Sequence, residues 1–253
     1  MKIVRFESGG IIHYGVLQEN GISPIEGDPF EDDPVVSDMV YSLSSCHLLA
    51  PCEPSKIVAY GVNYKSHSDE MGSNLPDEPI MFLKPTTSVI GPDDEIVSPP
   101  SSKRVDYEGE LGVVIRDITR DVEPEEAFDH VFGYTCLNDV TARDLQQKDG
   151  QWTRGKGFDT FCPFGPWIET DLSPEKLHLQ TRLNGEVKQD TDTSYMIFPT
   201  DVLISFASKV MTLLPGDVIA TGTTAGVGPM QPGDVVEVEI EGIGVLRNRI
   251  AQP

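Results

Sequence analysis

The sequence predicts a mostly β protein of the α+β class with few helices. Apolar runs of strand length recur along the chain, and 23 glycines and 20 prolines separate them without a fixed period, as in folds built from many short strands and turns. Asn184-Gly185 stands between two such runs and predicts a hairpin. Residues 200–213 are the one long stretch with amphipathic helical periodicity. With 253 residues, of which 38% are hydrophobic, the chain can bury a sizeable core.

The predicted strands follow one another along the chain, and helices interrupt them in only a few places. Short helices are predicted at 65–71, from Pro124 onward with acidic residues in the first turn, and at 140–147. The main strands are predicted at 56–60, 79–84, 95–98, 105–115, 131–137, 167–169, 177–183, 186–188, 214–220, 235–241 and 244–250.

The first fifty residues are predicted to form a small β-rich module. Residues 2–7 and 11–17 alternate loosely in polarity and are separated by Ser8-Gly9-Gly10, and a third short strand is expected at 22–25. No chemistry is apparent in this stretch. We therefore predict an N-terminal module at residues 1–50 and a catalytic domain at residues 51–253.

Composition excludes several classes of partner. The formal net charge is −22, so the surface should repel nucleic acids and anionic membranes, and we expect neither as a partner. The chain starts with a strand-like pattern in place of an apolar signal core, and no run reaches transmembrane length. The four cysteines form no Cys-x-x-Cys pair, which disfavours structural zinc and a disulfide framework. These features predict a cytoplasmic protein with reduced thiols.

Three carboxylates are concentrated at the start of the apolar strand 105–115. Asp106, Glu108 and Glu110 alternate along it, and side chains two residues apart point to the same face of an extended strand. Like charges this close repel each other, and burial strengthens the repulsion. A divalent cation with carboxylate ligands would relieve it, but an exposed strand end whose acids face water explains the same spacing.

His67 and Glu70 lie three residues apart within the predicted helix 65–71, so their side chains can touch on one helical face. A carboxylate beside an imidazole fixes the orientation of the ring and suits a general base. An ordinary ion pair on the surface of a short helix has the same spacing, and spacing alone favours that simpler interpretation.

A second polar group is predicted at the helix 140–147. Asp139, Arg143 and Gln146 are separated by four and three residues and would share one helical face. Together they suit a site for a metal and an anionic ligand, because the guanidinium fork matches a carboxylate. A solvated helix face with Asp139 as its N-cap fits the spacing equally well. Lys156 follows between two glycines and is well placed to reach into a cleft.

The glycine-rich stretch 221–228 follows a predicted strand. It lacks the lysine of a phosphate-binding P-loop, and the chain has no dinucleotide-binding fingerprint that opens a βαβ unit. Its glycines allow backbone amides and threonine hydroxyls to approach a small anion closely. We therefore expect this loop to border a site for a small acidic molecule.

Taken together, these segments resemble the fumarylacetoacetate hydrolase family. Any one of them alone is a weak signal, but they occur in the family's order over about residues 51–250. A small N-terminal module is also common among the prokaryotic-type members. The matching segments are Tyr60-Gly-Val-Asn-Tyr64 with His67 and Glu70, Phe82-Leu-Lys-Pro85, Asp106-Tyr-Glu-Gly-Glu-Leu-Gly-Val-Val-Ile115, Asn138-Asp-Val-Thr-Ala-Arg-Asp-Leu-Gln146, Trp152-Thr-Arg-Gly-Lys156 and Thr221-Gly-Thr-Thr-Ala-Gly-Val-Gly228.

The resemblance implies a mixed β-sandwich roll with few helices and a site for Mg²⁺ or Mn²⁺. Glu108, Glu110 and Asp139 match the metal ligands of the family. With Asp139 as the third ligand, Asp106 becomes a neighbour of the site and no longer a ligand.

The resemblance also implies roles for the remaining polar residues. Lys156 matches the active-site lysine, and His67 with Glu70 matches a base dyad on a segment that forms a lid in relatives. The segment between Asp139 and Lys156 is a few residues shorter than in the acylpyruvase-like relatives, so substrate size does not carry over. The residues that match substrate contacts are Arg143, Gln146 and Thr223.

The activity that the resemblance implies is Mg²⁺- or Mn²⁺-dependent hydrolysis of a C–C bond, or decarboxylation, of a small oxo-acid such as an acylpyruvate or oxaloacetate. Both reactions pass through an enolate that the metal stabilises. The alternative is an isomerase or decarboxylase of 2-hydroxyhepta-2,4-diene-1,7-dioate-type products of aromatic catabolism. A non-catalytic binding module is a third interpretation, which the full set of polar groups disfavours. Family members are commonly homodimers, so a homodimer is expected by analogy.

Overall fold

The computed structural model describes residues 1–30, 34–72 and 74–252, with all of their side chains except those of Asp69 and Met71. Strands dominate the fold and helices are few, so the predicted fold class is confirmed. The strands are β1 (Lys2–Ser8), β2 (Ile11–Gln18), β3 (Gly21–Glu26), β4 (Val35–Val36), β5 (His47–Leu49), β6 (Ile57–Gly61), β7 (Ile80–Lys84), β8 (Val89–Ile90), β9 (Glu95–Val97), β10 (Val105–Tyr107), β11 (Gly109–Ile115), β12 (Val131–Asn138), β13 (Thr141–Ala142), β14 (Cys162–Glu169), β15 (His178–Leu183), β16 (Glu186–Asp192), β17 (Val218–Ala220), β18 (Gly228–Pro229), β19 (Val235–Ile240) and β20 (Gly244–Ala251).

The helices are short, apart from one near the C-terminal end. They are α1 (Lys65–Met71), α2 (Arg143–Asp149), α3 (Thr153–Lys156) and α4 (Thr200–Val210), with single turns of 3₁₀-helix at Leu43–Ser45, Thr86–Ser88 and Thr193–Tyr195 and a longer 3₁₀ segment at Pro124–His130. In the described part of the chain, no helix has the length and apolar character needed to cross a membrane.

The described residues form three sheets. The largest has twelve strands in the order β4-β3-β2-β1-β14-β12-β11-β17-β6-β7, with β5 added beside β1 and β8 beside β14. A five-stranded sheet has the order β16-β15-β19-β20-β9, and a small third sheet has the order β13-β10-β18. The N-terminal strands join the main sheet where β1 pairs antiparallel with β14. The domain boundary near residue 50 remains a prediction.

The main core lies between the two larger sheets. Leu111 of β11, Leu179 of β15 and Val238 of β19 belong to one buried apolar cluster, which also includes Leu203 of α4. Every residue of β11 is buried, so this strand is enclosed on both faces. Burial of this kind, at roughly 25 cal/mol per Å² of apolar surface, is the main source of stability for such a sandwich.

One strand predicted from the sequence is two strands in the structure. The stretch 105–115 divides at Glu108, because the Glu108 backbone N–H donates to the side-chain Oδ1 of Asn138 at 2.9 Å and not to a backbone carbonyl. Strand β10 pairs with β13 and β18, whereas β11 pairs with β12 and β17. Asp106 therefore lies in a different sheet from Glu110, although the Arg143 guanidinium contacts both Asp106 and Glu108.

The helix predicted at 140–147 begins later than expected. Thr141 and Ala142 form β13 against β10, and the Arg143 backbone N–H donates to the Arg104 carbonyl before α2 starts. The β-branched residues Val140 and Thr141 favour this extended path. Asp139 is therefore not on the helical face that carries Arg143.

The ends of three strands create a single edge where polar residues gather. Strands β6 and β17 run parallel, with Ala59 opposite Ala220, so both chains leave the sheet at the same end. Strand β11 runs antiparallel to β17, with Gly112 opposite Ala220, so its first residues lie at this end too. The Asn63 side chain donates to the Thr221 carbonyl at 2.7 Å, which ties the two loops together.

Candidate active site

Three buried carboxylates form a compact group at this edge. Glu108, Glu110 and Asp139 each offer an oxygen, and these oxygens all lie within 4.8 Å of one another. The side chains sit in the interior, with residue exposures of 4%, 1% and 1%. Carboxylates so close together need a source of positive charge.

The pairing of β11 with β12 brings this group together. Gly109 lies opposite Asn138 in the ladder, so the residues just before and just after this pair are neighbours. The Asp139 backbone N–H donates to the Glu108 carbonyl at 2.9 Å. The third carboxylate thus comes from a strand end about thirty residues along the chain.

Cations and carboxylates alternate around the site. Lys156 Nζ donates to Glu108 Oε2 at 2.7 Å and to Asp139 Oδ2 at 2.5 Å. Each buried charge in this set has an opposite partner, and removing one partner would leave a buried charge unpaired, which is costly. The ion pairs connect into a chain in which each residue contacts the next: Arg104–Asp106–Arg143–Glu108–Lys156–Asp139–Lys84.

The pKa values of the two glutamates of the group are shifted in opposite directions. Burial alone would raise the pKa of Glu108, but Lys156 and Arg143 beside it hold that pKa below its ordinary value. For Glu110, burial raises the pKa, and the negative charges of Asp139 and Glu108 raise it further. Glu110 is therefore the carboxylate whose charge the surrounding side chains compensate least.

Lys156 carries a fixed positive charge next to the carboxylates. Burial would lower the pKa of its ammonium group, but Asp139 and Glu108 raise it above the ordinary value. The residue ends α3, a single helical turn that the sequence analysis did not predict. Lys156 can therefore donate a proton or stabilise a negative charge, and it is not a free base in this arrangement.

Arg143 and Gln146 form the adjoining wall. Arg143 Nε donates to Asp106 Oδ2 at 3.0 Å, and Nη1 donates to Gln146 Oε1 at 2.8 Å. Its Nη2 group donates to Glu108. Asp106 thus orients the guanidinium from behind, which agrees with its predicted place as a neighbour of the site.

His67 and Glu70 meet on α1, as their spacing predicts. His67 Nδ1 lies 3.3 Å from Glu70 Oε2, and the Gly226 backbone N–H donates to Glu70 Oε1 at 3.1 Å. Ser66 Oγ lies 2.9 Å from Thr224 Oγ1. The helix is therefore attached to the glycine-rich loop at two points. Because His67 is only 6% exposed, the simpler interpretation of an exposed surface pair is wrong for the imidazole.

A cavity of about 240 Å³ connects these groups. Its apolar wall includes Tyr60, Val62 and Trp152, none of which the sequence analysis assigned to the site. The polar residues that line it are His67, Glu108, Arg143, Gln146, Gln147, Lys156 and Thr223. The structure thus places all the predicted catalytic and substrate-contacting residues around this cavity, except Glu70, which contacts it through His67.

Thr223 is held by a buried glutamine that the sequence analysis did not find. Gln189 Nε2 donates to Thr223 Oγ1 at 2.8 Å, and Gln189 Oε1 accepts from the Gly109 N–H at 2.9 Å. Thr223 in turn donates to the Gly109 carbonyl at 2.9 Å. Gln189 therefore joins the glycine-rich loop to the strand of the acidic group. It lies in a hairpin strand of ordinary polar composition, and no local signal distinguishes it.

Lys84 is a second residue that the sequence analysis left without a role. It ends β7 and is 1% exposed, and its ammonium group contacts Asp139. The sequence did contain a signal for this role, because Lys84 ends an apolar strand. A lysine there is expected to be buried only with a charged partner, since an unpaired lysine is rarely buried.

The donor set fits a hard divalent cation. All three groups that face one another are carboxylates, the ligands that such cations prefer. In the described part of the chain, Glu110 has no lysine or arginine as an ion-pair partner, and its Oε2 accepts only the Gly222 N–H at 2.7 Å. An added cation would supply the missing charge at this point.

Comparisons with known proteins find family models over both parts of the chain. The family model described as fumarylacetoacetate (FAA) hydrolase C-terminal matches residues 56–251, and the model described as Rv2993c-like, N-terminal matches residues 1–51. The mitochondrial oxaloacetate tautomerase fahd2 of Xenopus laevis is 43% identical, over 83% of this chain and 70% of that protein.

Two solved structures share the whole fold. The 5-carboxymethyl-2-hydroxymuconate delta-isomerase of Mycobacterium smegmatis superposes with a TM-score of 0.94 at 42% identity, covering 100% of both chains. The 2-hydroxyhepta-2,4-diene-1,7-dioate isomerase of Mycobacterium marinum has a TM-score of 0.92 at 43% identity, covering 100% of this chain and 98% of that one. The chain is therefore an enzyme of the fumarylacetoacetate hydrolase family.

Proposed function

We propose that this enzyme shifts a proton on a small 2-oxo acid, by tautomerisation or isomerisation through an enol or enolate. One observation carries the proposal. His67 and Lys156, two side chains able to exchange protons, line the same cavity beside the acidic group. A keto–enol shift needs one group that removes a proton and another that returns it or stabilises the charge in between.

We propose Mg²⁺ or Mn²⁺ as the cofactor, held by Glu108, Glu110 and Asp139. The oxygen-only donor set supports a hard cation over zinc or copper. When bound, the cation would act as a Lewis acid toward the oxygens of a 2-oxo acid.

His67 is proposed as the base. Donation from Nδ1 to Glu70 would leave Nε2 with a free lone pair, and the 3.3 Å separation supports this tautomer. The contact of Glu70 with the Gly226 N–H supports a fixed position for the carboxylate and hence for the ring. Lys156, whose ammonium form is favoured by its neighbours, would stabilise negative charge on the substrate or return the proton.

Arg143, Gln146 and Thr223 are proposed to bind the substrate. All three line the cavity. Asp106 holds Arg143, Arg143 holds Gln146, and Gln189 holds Thr223. The volume of about 240 Å³ suits a small acid better than a large ligand.

The names of the relatives support a proton shift. One is named as an oxaloacetate tautomerase, and two solved structures are named as isomerases. Oxaloacetate and hydroxyheptadienedioate-type acids are therefore the first substrates to test.

The second candidate is C–C bond cleavage of a small oxo-acid, by hydrolysis of an acylpyruvate or decarboxylation of oxaloacetate. The imidazole–carboxylate pair of His67 and Glu70 favours hydrolysis, because such a pair can activate a water molecule. A proton shift forms the enolate of the intact substrate, and cleavage leaves the enolate of the smaller 2-oxo acid. Both are enolates beside a 2-oxo carboxylate, so one site can stabilise either.

The decisive experiment is a substrate panel. Protein treated with EDTA and reloaded with Mg²⁺ or Mn²⁺ is assayed for tautomerisation of oxaloacetate, isomerisation of a hydroxyheptadienedioate and cleavage of acetylpyruvate. Metal without protein is the blank, since free cations accelerate some of these reactions. We expect metal-dependent tautomerisation or isomerisation to be the fastest. If none of the three reactions exceeds the blank with either metal, the proposal is wrong.

We also propose a homodimer as the functional form. Strand β7 is an open edge of the main sheet, and Ile80 and Leu83 on it are 39% and 45% exposed. A second copy of the chain could pair with this edge strand and reduce the exposure of its apolar residues. Sedimentation equilibrium tests the stoichiometry, and a monomer at micromolar concentration would contradict the proposal.

A further inference from the structure

Lys84 lies behind the acidic group and outside the cavity. Its Nζ donates to the Lys156 carbonyl at 2.6 Å and approaches the Val140 carbonyl at 3.4 Å, and it also contacts Asp139 Oδ1. These three acceptors match the three protons of an ammonium group. Lys84 therefore has no donor left for a substrate, and any influence it has on the reaction passes through its neighbours.

The two oxygens of Asp139 have different partners. Oδ1 faces Lys84 and Oδ2 faces Lys156. Lys156 also contacts Glu108, so Oδ2 is the oxygen of Asp139 that shares a partner with the Glu108 carboxylate. Lys84 thus binds Oδ1 on the side away from the cavity, and Oδ2 faces the site.

The same ammonium group fixes the backbone of Lys156. Lys156 is the last residue of α3, and its carbonyl has no partner further along so short a helix. A hydrogen bond of 2.6 Å from Lys84 occupies that carbonyl. The side chain of Lys156 extends from this anchored position toward Glu108 and Asp139.

We propose that Lys84 is a positioning residue, which keeps Asp139 Oδ1 occupied so that only Oδ2 is available to the cation, and which holds Lys156 in place. This inference rests on the metal site of the proposed function. It adds a residue that touches neither substrate nor cavity, and it assigns separate tasks to the two oxygens of one ligand. Loss of such a supporting partner typically lowers activity or metal affinity 10- to 100-fold.

The chain contains a matched control in a second lysine–aspartate pair. Lys56 contacts the buried Asp217 just before β6, the strand in which Ile57 lies opposite Lys84. Neither Lys56 nor Asp217 lines the cavity. A Lys56→Met change therefore removes a pair of the same chemistry from the same part of the sheet without touching the site.

The test compares Lys84→Met, Lys84→Gln and Lys56→Met by Mn²⁺ electron paramagnetic resonance, kcat and thermal unfolding. In Lys84→Met, we expect a changed Mn²⁺ line shape, because Asp139 gains freedom to use both oxygens, and a kcat at least about tenfold lower. Lys84→Gln keeps an uncharged amide NH2 donor group and should fall between this variant and the wild type. It serves if Lys84→Met does not fold. Lys56→Met should lower the unfolding temperature and leave the line shape and kcat unchanged.

The outcomes separate the inference from the proposed function. A wild type that binds no Mn²⁺ contradicts the metal site and, with it, the role of Lys84. A wild type that binds Mn²⁺ while both Lys84 variants keep its line shape overturns the inference alone. A kcat that falls only in proportion to the folded fraction, as measured by circular dichroism, also overturns it, since a structural lysine would do the same.

Discussion

Glu110 Oε2 accepts a hydrogen bond of 2.7 Å from the Gly222 backbone N–H, and this amide is its principal polar partner. Glu108 and Asp139 both contact Lys156, whereas no cationic side chain in the described residues pairs with Glu110. Burial and the two neighbouring carboxylates raise the pKa of Glu110. The metal-free site is therefore short of positive charge at one defined carboxylate.

The first prediction is that metal binding releases a proton from Glu110. Because the pKa of Glu110 is raised in the metal-free protein, part of the population is protonated at a pH where an ordinary glutamate is not. A cation needs the carboxylate, so its apparent affinity should increase with pH. Isothermal titration calorimetry with Mn²⁺ in two buffers of different ionisation enthalpy measures the number of protons released.

Two variants control this experiment. Glu110→Gln should bind Mn²⁺ at least about tenfold more weakly and release no proton. Glu108→Gln should also weaken binding, but its own pKa is lowered, so proton release on the remaining binding should persist. Equal proton release by the wild type and Glu110→Gln would exclude Glu110 as the source.

The second prediction concerns the stability of the metal-free protein. A carboxyl group whose pKa is raised in the folded state binds more protons there than in the unfolded chain, so stability falls as pH rises from the ordinary glutamate value through the raised one. Glu110→Gln should therefore raise the unfolding temperature at neutral pH in EDTA, by roughly 2–4 °C. The gain should vanish well below pH 4, where Glu110 is protonated in both the folded and the unfolded state.

Excess metal should reverse the order of stability of the wild type and Glu110→Gln. Ligand binding to the folded state stabilises it by RT ln(1 + [L]/Kd), so the wild type, which binds Mn²⁺ more tightly, should become more stable than Glu110→Gln in excess Mn²⁺. Thermal scans in EDTA and in Mn²⁺ give both comparisons. A lower unfolding temperature for Glu110→Gln in EDTA at neutral pH would contradict the argument.

Local sequence patterns predicted the parts of the site that lie close together in the chain. The alternation of Glu108 and Glu110 and the spacing of His67 and Glu70 both correspond to contacts or proximity in the structure. Periodicity was sufficient here because each pair lies within one element or at its end. The positions of most strands along the chain and the mostly β class followed from short apolar runs and turn residues in the same way.

Long-range pairings could not be read from periodicity. Asp139 reaches the site through the end of β12 and not through a helical face, and Lys84 meets it across 55 positions of sequence. Gln189 joins Gly109 across 80 positions. Such contacts depend on which strand lies next to which, and only the family resemblance carried that information for Asp139.

The third prediction separates the roles of His67 and Glu70. His67→Ala removes the proposed base, so kcat for the proton shift should fall about 10²- to 10⁴-fold with a small change in KM. Glu70→Gln can still accept a hydrogen bond from His67 and should cost less, about tenfold. Steady-state kinetics at saturating Mg²⁺ measure both, with Mn²⁺ affinity as the check that the metal site is intact.

The same variant tests the second candidate function. If water activation belongs to His67, then His67→Ala should abolish hydrolysis of acetylpyruvate and spare decarboxylation of oxaloacetate. Equal loss of both activities would contradict that division. Unchanged kcat for every substrate would remove His67 from the mechanism.

The fourth prediction is that Gly61→Ala narrows the cavity by moving Trp152. A Cβ atom at Gly61 would lie 2.4 Å from Cζ3 of Trp152, well inside van der Waals contact. The indole also packs edge-on against Phe82, with ring centroids 5.1 Å apart, so it has limited room to retreat on that side. Because Trp152 lines the cavity, we expect a displaced ring to raise KM about tenfold and to affect larger substrates more than small ones.

A second change should undo this effect if it arises from the indole. Trp152→Leu removes the ring atoms that a Cβ at residue 61 would meet, so Gly61→Ala in that background should have little further effect on KM. The interaction energy from the four kcat/KM values then measures the clash directly. If the two changes are additive, the loss in Gly61→Ala comes from the backbone of β6 and not from Trp152.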